Sequence, residues 1–515
     1  MNAVNKRGGV EGLTVQRTQS PTFRRMGHYL ATLLLLLGFT LGPLPQALLC
    51  TCGPAPGNDV KRVTVTDPRP PNILLVLVDD LGWMDLGVQG NPWYPTPNID
   101  RVAGEGMRFT DYYAPSTVCS PSRAAMMSGL SPARTGITDF IPGHWRPYEE
   151  LTVPTNRTQY LPGEVTTYAE ALKRADYATA YFGKWHLGWG AEHVPTAQGF
   201  DTAHVQGGWG HFVPPIHFTP PYPADTGAYL TDILTDMTID FIEQHRDTQF
   251  LAVLSHFAVH VPLEAPDEMI AEAARREQPD DRVYNPTYVA MVESVDRNFG
   301  RLIERLDVLG LRENTLVVFT SDNGGLRQIF NKSDDVIATT NAPLRDEKGS
   351  IYEGGIRVPM IVRWPSVVKN SVSDEPVTGL DLYPTFLAAA GLSPAADQDT
   401  LDGQSLLPVF RGGTLGERDL YFHYPHYHHG RPAAALRRGD YKLIRYFGAE
   451  PGPELYNLAK DIGETDNLAA AQPERTAAMS RSLLQWLARS GAPVPVPNPE
   501  FEAARRGEWG PRPQG

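Results

Sequence analysis

The chain has 515 residues, of which 41% are hydrophobic, and its formal net charge is −13. A chain of this length and composition can bury a large core, and it is long enough for two unequal structural parts. The negative net charge excludes the basic surface that nucleic-acid-binding proteins carry. It does not exclude an anionic ligand, because lysines, arginines or a bound cation inside a pocket decide whether an anion binds there.

The N-terminal segment has the order of a signal peptide. Arg24 and Arg25 precede an apolar, leucine-rich run at residues 29–41, which glycine and proline then interrupt. The run is too short for a comfortable membrane span, and no later segment resembles one. We therefore interpret residues 1–52 as an export segment and expect the mature protein in the periplasm or outside the cell.

Cysteine is rare in this chain, with three residues in total. Cys50 and Cys52 lie at the end of the export segment, where a lipoprotein cysteine would carry a lipid anchor; simple cleavage of the leader is the alternative. Cys119 is the only cysteine in the body of the chain, so no disulfide can form within the body. It is either a small buried apolar side chain or a residue with a chemical use.

The next elements in the chain indicate an α/β fold. Residues 72–78 and 315–320 are continuous apolar runs that suit strands buried on both faces of a parallel sheet. Further strands are predicted at 178–182 and 250–255, and helices at 166–174 and 288–309. This alternation predicts an open, mostly parallel sheet, in which ligands bind beyond the carboxyl ends of the strands.

Two acidic clusters follow the first two of these runs. Asp79 and Asp80 come after residue 78, and Asp322 and Asn323 come shortly after residue 320. Adjacent carboxylates at a buried strand end are costly to ionise unless a cation neutralises them. Either cluster alone would more often be an exposed turn or a helix cap. Together they predict an all-oxygen site for a hard divalent cation, without the soft ligands typical of zinc.

The character of the chain changes near residue 400. Short strands are predicted at 419–427, 433–436 and 441–446, followed by a helix at 473–489. We therefore divide the chain after the export segment into a linker, a catalytic domain, a smaller C-terminal α+β subdomain and a loose, proline-rich tail, at residues 53–70, 71–400, 401–492 and 493–515.

Cys119 lies in a distinctive segment, Cys119-Ser-Pro-Ser-Arg123, which is followed by an Ala/Met run and Ser128-Gly129. The segment predicts a helix that begins close to Cys119, whose dipole and free N–H groups would favour negative charge there. Arg123 adds a permanent cation. As a bare thiol, Cys119 is therefore expected to have a low pKa. A cysteine hydrolase is conceivable on this ground, but no neighbouring signature supports one.

The same segment resembles the sulfatase signature, Cys-x-Pro-Ser-Arg followed by Thr-Gly after four residues, with Ser128 where threonine is usual. The resemblance extends from about residue 70 to residue 468. The chain is similar to formylglycine-dependent type I sulfatases of the arylsulfatase family, in the alkaline phosphatase superfamily, and in particular to bacterial arylsulfatase A-like enzymes. It implies a large, mixed and mostly parallel sheet sandwiched by helices, with a smaller C-terminal α+β subdomain.

The resemblance also implies the site residues. Cys119 would be oxidised to formylglycine by a maturation enzyme, and its hydrate would be a metal ligand. The metal would be one Ca²⁺, although Mg²⁺ is not excluded by oxygen ligands alone. Apart from residue 119, the implied metal ligands are Asp79, Asp80, Asp322 and Asn323. The implied catalytic residues are Cys119, Arg123, Lys184, His186, His260 and Lys348.

In that family one hydroxyl of the hydrated aldehyde attacks sulfur, and the second later expels sulfate. Lys184 and Lys348 would hold the sulfate oxygens. His260, with Lys348, would protonate the leaving alcohol, and His186 would help to remove a proton from the second hydroxyl. Arg123 would orient the diol. Each of these residues taken singly would more often be a surface lysine or a structural histidine.

Two other functions stay open at this point. One is a formylglycine-dependent phosphonate or phosphodiester hydrolase, and the other is a non-catalytic glycan-binding protein on the same fold. For the substrate, Trp209, His211 and the histidine-rich run at 423–429 could line an entrance suited to a sugar, or could form a packed loop. We expect a sulfated small molecule or glycan, preferably a carbohydrate sulfate. No nucleic-acid partner and no membrane span are expected.

Overall fold

The computed structural model describes most of the chain after residue 68. The export segment 1–52 and nearly all of the predicted linker 53–70 lie outside the described residues. The described ranges are 69–143, 145–155, 157–280, 283–327, 337–394, 400–448 and 450–510.

Within these ranges the chain forms both strands and helices. The strands are β1 (Asn72–Val78), β2 (Met107–Phe109), β3 (Tyr112–Tyr113), β4 (Leu151–Thr152), β5 (Ala178–Gly183), β6 (Thr202–Gly207), β7 (His217–Thr219), β8 (Phe250–Ser255), β9 (Thr315–Ser321), β10 (Met360–Arg363), β11 (Ser371–Ser373), β12 (Val377–Thr378), β13 (Asp419–Tyr424), β14 (Ala433–Arg438), β15 (Tyr441–Tyr446), β16 (Glu454–Asn457) and β17 (Val496–Pro497). The α-helices are α1 (Pro97–Glu105), α2 (Cys119–Ser128), α3 (Pro132–Thr135), α4 (Tyr168–Lys173), α5 (Leu230–Gln244), α6 (Asp267–Arg275), α7 (Pro286–Val308), α8 (Glu353–Ile356), α9 (Leu382–Ala389), α10 (Leu407–Phe410) and α11 (Pro473–Arg489).

A nine-stranded sheet forms the centre, in the order β11-β2-β10-β9-β1-β8-β5-β6-β7. The five strands from β9 to β6 are mutually parallel, whereas β10 and β7 pair antiparallel with their inner neighbours. In β1 every residue is buried, as expected for a strand covered on both faces. The predicted mixed and mostly parallel sheet is confirmed.

Alternate side chains of β1 enter two separate cores. Leu74 and Val76 pack with helices α5 and α7 on one face. Ile73 and Leu75 pack with α2, α4 and α9 on the other. Because neighbouring side chains of a strand point to opposite faces, a continuous apolar run is required when helices cover both sides. The sheet is therefore the middle layer of a three-layer sandwich.

Helix ends differ from the predictions where a capping residue decides them. The helix predicted at 166–174 spans Tyr168–Lys173, because Thr167 forms a capping box with Glu170 at its start. The helix predicted at 288–309 begins two residues earlier, at Pro286, because the Asn285 side chain accepts hydrogen bonds from two backbone N–H groups of the first turn.

The C-terminal part is a four-stranded antiparallel sheet in the order β13-β14-β15-β16, with α11 packed on one face. This confirms the predicted α+β character. Strand β13 ends at Tyr424 and not at residue 427 as predicted, because Pro425 has no N–H to donate to the ladder. The described residues, from Arg69 to Gly510, belong to one compact unit.

A buried ionic cluster joins the C-terminal sheet to the segment that precedes β10. The Lys442 ammonium on β15 lies 2.9 Å from a Glu353 oxygen and 2.8 Å from a Glu464 oxygen. All three side chains have no exposed surface. Burial raises the pKa of Glu464 to about 7. For Glu353, burial acts in the same direction, but Lys442 and the neighbouring arginines outweigh it and lower the pKa.

Replacing Lys442 by methionine is expected to lower the free energy of unfolding by about 3–5 kcal/mol, since it removes the buried cation that Glu353 and Glu464 share. Urea denaturation of the variant and the wild type measures this difference. The matched control is Lys460→Met, because Lys460 is exposed and should change the stability by less than about 0.5 kcal/mol. A similar small change in Lys442→Met would contradict the assigned role of the cluster.

The prediction of a loose tail at residues 493–515 is wrong for the described residues 493–510. Strand β17 pairs antiparallel with β4, Arg506 forms a salt bridge with Glu149, and the Arg146 guanidinium lies over the Trp509 ring at 4.1 Å. Residues 496–510 therefore pack against the rest of the chain. A search of the described residues finds no helix that is both long enough and apolar enough to cross a membrane.

Candidate active site

The two acidic clusters meet at the carboxyl ends of adjacent parallel strands. Asp79 and Asp80 follow β1, and Asp322 and Asn323 follow β9, whose last residues are in register with those of β1. All four side chains are fully or almost fully buried. Burial of three carboxylates in one place is unfavourable unless cations compensate them. The sheet topology thus explains why residues about 240 positions apart form one cluster.

Hydrogen bonds orient this cluster. The Asp80 backbone has a φ of 60°, and its N–H donates to Asp322 Oδ1 at 3.3 Å. The Asn323 amide nitrogen donates to Asp80 Oδ1 at 2.7 Å. Asn323 Oδ1 is buried and has no hydrogen-bond partner among the described residues. A buried amide oxygen without a donor is uncommon, and it suits a ligand of a hard cation.

Two lysines face the first acidic pair. The ammonium group of Lys184, in the loop after β5, pairs with Asp79, and that of Lys348 lies 2.7 Å from Asp80 Oδ1. Burial raises the pKa of both carboxyl groups, but the two lysines outweigh it and leave both pKa values below the usual range. The carboxylates are therefore held in their charged form.

Arg123 crosses the site from the second turn of α2. Its guanidinium donates to Asp322 at 2.8 Å and to Ser255 Oγ at 2.6 Å, and it also donates to the Lys184 carbonyl at 2.8 Å. Burial nevertheless keeps the pKa of Asp322 above its usual range. Arg123 is almost fully buried, so its charge acts on the cluster with little screening by solvent.

Cys119 is the first residue of α2, close to the predicted start of the helix, and its thiol is buried and free. Its Sγ lies 3.6 Å from Asp79 Oδ1 and 3.4 Å from Lys184 Nζ. The predicted low pKa is wrong. Burial raises the pKa of Cys119 to about 12, because desolvation and the nearby carboxylates outweigh the two lysines.

Both predicted histidines lie beside this cluster. His260 Nε2 is 3.7 Å from Asp80 Oδ2, and burial followed by the two lysines lowers the pKa of His260 to about 4. His186 Nε2 contacts the Ile141 carbonyl oxygen at 2.5 Å. Burial and then Lys184 hold the pKa of His186 well below its usual value. The structure therefore brings together every residue that the sequence assigned to the site.

The donor set fits a hard divalent cation. Ligand atoms of Asp79, Cys119 and Asp322 lie within 4.8 Å of one another, and so do those of Asp80, Cys119 and His260. Together with Asn323 Oδ1, which has no hydrogen-bond partner among the described residues, the carboxylates supply four oxygen-bearing side chains to this cluster. The sulfur of Cys119 is the one soft atom in this set, and hard cations prefer oxygen.

Three further side chains support the site; the sequence missed Ser255, and it offered His211 and His429 only as parts of a possible sugar entrance or packed loop. Ser255, at the end of β8, binds Arg123, His211 Nε2 contacts the His260 carbonyl oxygen at 2.9 Å, and His429 Nδ1 contacts the Lys348 carbonyl oxygen at 2.7 Å. Ser255 could have been found, because it ends a predicted strand, β8, that lies next to β1 with its acidic pair. The two histidine contacts have no local sequence signal.

A cleft of about 1110 Å³ opens onto Cys119, both lysines and both histidines. Trp209 lines this cleft, in agreement with the alternative that it forms part of an entrance for a sugar. The histidine-rich run divides: His428 lines the cleft, whereas His426 is buried and bonded to Thr138 at 2.9 Å, and His423 is buried in the C-terminal sheet. Both sequence alternatives for this run are therefore partly right.

Comparison with known proteins agrees with this geometry. The chain matches the Sulfatase family over residues 71–392 and the C-terminal region of N-sulphoglucosamine sulphohydrolase over residues 346–490. It is 33% identical to arylsulfatase A of Homo sapiens over 470 residues, which cover 79% of this chain and 85% of that protein. It is also 33% identical to N-acetylgalactosamine-6-sulfatase of Homo sapiens over 471 residues, covering 80% and 84%.

A solved structure is also similar to this chain. Ps i-CgsB in complex with k-i-k-neocarrahexaose has a TM-score of 0.70 and 30% identity, covering 85% of this chain and 96% of that chain. The match to the family extends over more than half of the chain and includes the strands, helix and loops that carry the buried cluster. The chain belongs to the sulfatase family, the sulfuric ester hydrolases of the alkaline phosphatase superfamily.

Proposed function

We propose that this sulfatase hydrolyses sulfate monoesters of carbohydrates with a formylglycine at position 119 and one divalent cation, Ca²⁺ in preference to Mg²⁺. The observation that carries the proposal is the buried cluster in which residue 119 lies 3.6 Å from an Asp79 oxygen and 3.4 Å from the Lys184 ammonium group. Such a cluster can bind a cation and an anionic ester side by side. A purely structural role would not require so many buried charges.

The chemistry of the ligand set favours conversion of Cys119. Thiol sulfur is a soft ligand and is poorly matched to a hard cation. Conversion to formylglycine and hydration would put oxygen in place of sulfur, so that all ligands become oxygen atoms. When hydrated, this group would supply one hydroxyl as the nucleophile, which takes up the sulfate, and a second hydroxyl whose deprotonation would expel sulfate and restore the aldehyde. The conversion needs a maturation enzyme as partner, acting on the segment before it is buried.

The cation would be held by Asp79, Asp80, Asp322 and Asn323, together with residue 119. It would act as a Lewis acid that lowers the pKa of a bound hydroxyl and offsets charge on the sulfate. Ca²⁺ is favoured because flexible carboxylate and amide oxygen sites suit it, whereas Mg²⁺ demands near-ideal octahedral geometry.

The protein's own cations bind the ester. The Lys184 and Lys348 ammonium groups lie beside residue 119 and the acidic pair, where they can donate to sulfate oxygens and stabilise charge in the transition state. The Arg123 guanidinium forms salt bridges with Asp322 and Asp79 and so holds both carboxylates in place. His186 has one ring nitrogen, Nδ1, that is buried and has no partner among the described residues, and it can accept a proton from a hydroxyl at residue 119.

His260 is proposed to donate a proton to the leaving alcohol. It lines the cleft, and Lys348 lies beside the same Asp80 carboxylate. His260→Ala is expected to lower kcat on a sugar sulfate by about 10²–10⁴-fold. The loss on p-nitrophenyl sulfate should be much smaller, because nitrophenolate leaves without protonation. His245→Ala, at the end of α5, is the control. Equal losses on both esters would remove this role from His260.

The reaction class is tested on the matured protein with p-nitrophenyl sulfate, p-nitrophenyl phosphate, a phosphonate monoester and a set of sulfated monosaccharides. Release of inorganic sulfate at the highest rate supports the proposal. Preference for a phosphorus ester would support the second candidate, a formylglycine-dependent phosphonate or phosphodiester hydrolase. Glycan binding without turnover of any ester would support a non-catalytic protein.

Two similar proteins support a carbohydrate substrate. One is named N-acetylgalactosamine-6-sulfatase, and the solved structure of the other is a complex with k-i-k-neocarrahexaose. The signal-like residues 1–52 support export to the periplasm or the cell exterior, with Cys50 or Cys52 as the site of a lipid anchor if the leader is of the lipoprotein type. N-terminal sequencing and mass spectrometry of the secreted protein distinguish simple cleavage from lipid attachment.

A further inference from the structure

The cleft extends well beyond the sulfate-binding residues. Its volume of about 1110 Å³ exceeds the roughly 300–1,000 Å³ of sites for drug-sized ligands. Gln206 from β6 and His217 and Thr219 from β7 line it, so it reaches the edge strands of the central sheet. Four strand spacings separate β1 from β7, which is about 19 Å. A single sulfated sugar would fill only part of this space.

Two tryptophans on this side are exposed to solvent. Trp189 follows the Lys184–His186 loop and is 65% exposed, and Trp209 follows β6 and is 60% exposed. Both line the cleft. Large apolar side chains in a solvent-filled cleft mark ligand-binding surfaces. An indole ring offers a broad apolar face, and the C–H faces of pyranose rings stack on such faces.

Trp209 also lies on the side of the leaving group. Its ring packs edge-on against His260, with centroids 5.5 Å apart, and against Phe257 at 5.8 Å. His260 is the group proposed to protonate the leaving alcohol, so the alcohol's own sugar must lie close to it. The next sugars of a chain would then continue over Trp209 toward β6 and β7.

The charge distribution on this side is uneven. The residues between 157 and 280 are all described. Among the residues of this range that line the cleft, Lys184 is the only lysine, arginine, aspartate or glutamate. Gln206 Oε1 is buried and has no hydrogen-bond partner among the described residues, so it can accept a hydrogen bond from a sugar hydroxyl. A second sulfate or a carboxylate would find no Lys or Arg here to offset its desolvation.

We propose that Trp189 and Trp209 bind uncharged sugars adjacent to the sulfated one, so that the substrate is a sulfated oligosaccharide or polysaccharide whose neighbouring units are neutral. This inference rests on the proposed sulfatase function and adds the length and charge of the substrate. It predicts poor activity on chains in which every second sugar is a uronate, and on free sulfated monosaccharides.

The substrate test uses oligosaccharides of carrageenan, in which sulfated galactose alternates with an uncharged anhydrosugar in κ-type chains, and oligosaccharides of chondroitin sulfate and heparin, which contain uronates. Sulfated monosaccharides and p-nitrophenyl sulfate are the small references. The highest kcat/KM on a chain with neutral neighbours supports the inference. The highest value on a uronate-containing chain, on a monosaccharide, or on the aryl ester alone overturns it.

The residue test uses Trp189→Ala and Trp209→Ala on the oligosaccharide that is cleaved fastest. We expect kcat/KM to fall by about 10- to 100-fold, comparable to removal of a stacking ring from other ligand sites, and the fall to exceed that on p-nitrophenyl sulfate by at least about fivefold. Trp189→Phe, which keeps a ring, should recover part of the loss. Trp509→Ala, at an exposed tryptophan that does not line the cleft, is the matched control.

Binding separates this inference from the proposed function. In a Cys119→Ala background, the same oligosaccharide should quench tryptophan fluorescence and bind more weakly when Trp189 is also replaced. If the matured wild type hydrolyses no ester at all, the proposed function fails. If it hydrolyses sulfate esters, but the Trp189 and Trp209 variants lose equal activity on large and small substrates, only the present inference fails.

Discussion

Cys119→Ala is expected to abolish sulfate ester hydrolysis, lowering kcat by at least about 10⁴-fold, as removal of an essential nucleophile does in other hydrolases. The fold should persist, because the change removes one buried sulfur and costs no more than about 1–2 kcal/mol. Activity assays and thermal unfolding of the same preparation measure both effects. Residue 119 contacts Asp79, a proposed ligand of the cation, and Lys184, proposed to bind sulfate.

The wild-type chain provides the control, because it can be produced with and without a formylglycine-generating enzyme. Peptide mass spectrometry should show residue 119 lighter by about 18 Da in active protein, the difference between a thiol and an aldehyde. Protein produced without that enzyme should be folded and inactive, and activity should rise with the converted fraction. Full activity of the unmodified thiol would overturn the proposal that Cys119 is a precursor.

Removal of divalent cations is expected to have the second large effect. A Lewis acid at this position contributes several kcal/mol to stabilisation of the transition state, so chelation should lower kcat by more than about 100-fold. Added Ca²⁺ should restore activity. Ca²⁺ at 100 times its Kd should also raise the free energy of unfolding by about 2.7 kcal/mol, which thermal or urea denaturation detects without any substrate.

The matched variants are Asp80→Asn and Asp247→Asn. Asp80 is 1% exposed and lies between Asn323 and Lys348, whereas the Asp247 side chain is 88% exposed. Only Asp80→Asn should lose the stabilisation by Ca²⁺. If Mg²⁺ stabilises the wild type more than Ca²⁺ does, the choice of metal is wrong. If neither ion changes the unfolding curve or the activity, there is no metal site in this cluster.

Much of the fold could be predicted because its central strands are continuous apolar runs. The predicted bounds of β1 and β8 agree with the structure, since a strand covered on both faces needs apolar side chains at every position. A helix that begins close to Cys119 followed from Pro121 and the Ala/Met run, although its first residue could not be read from them. The tail was mispredicted, because β17 forms through pairing with the distant β4, and its own sequence has no strand periodicity.

The residues of the site could be named from their order along the chain, but their electrostatics could not. The predicted pKa of Cys119 was low, since a helix start and Arg123 both favour a thiolate. In the structure Arg123 is turned toward Asp322, and burial dominates at the thiol. Desolvation depends on what surrounds a group from all sides, which no local segment contains.

By itself, the sequence determined the parallel sheet, the acidic residues at two strand ends and the residue proposed to be modified, because apolar runs and a short motif are local properties. Tertiary structure alone decided that Lys348 contacts Asp80 across 268 positions, and that Trp189 and Trp209 stand exposed in one cleft. The exposure of these tryptophans and the distance between Lys348 and Asp80 depend on the order of the strands in the sheet. The features proposed to select the substrate therefore exist only in the folded protein.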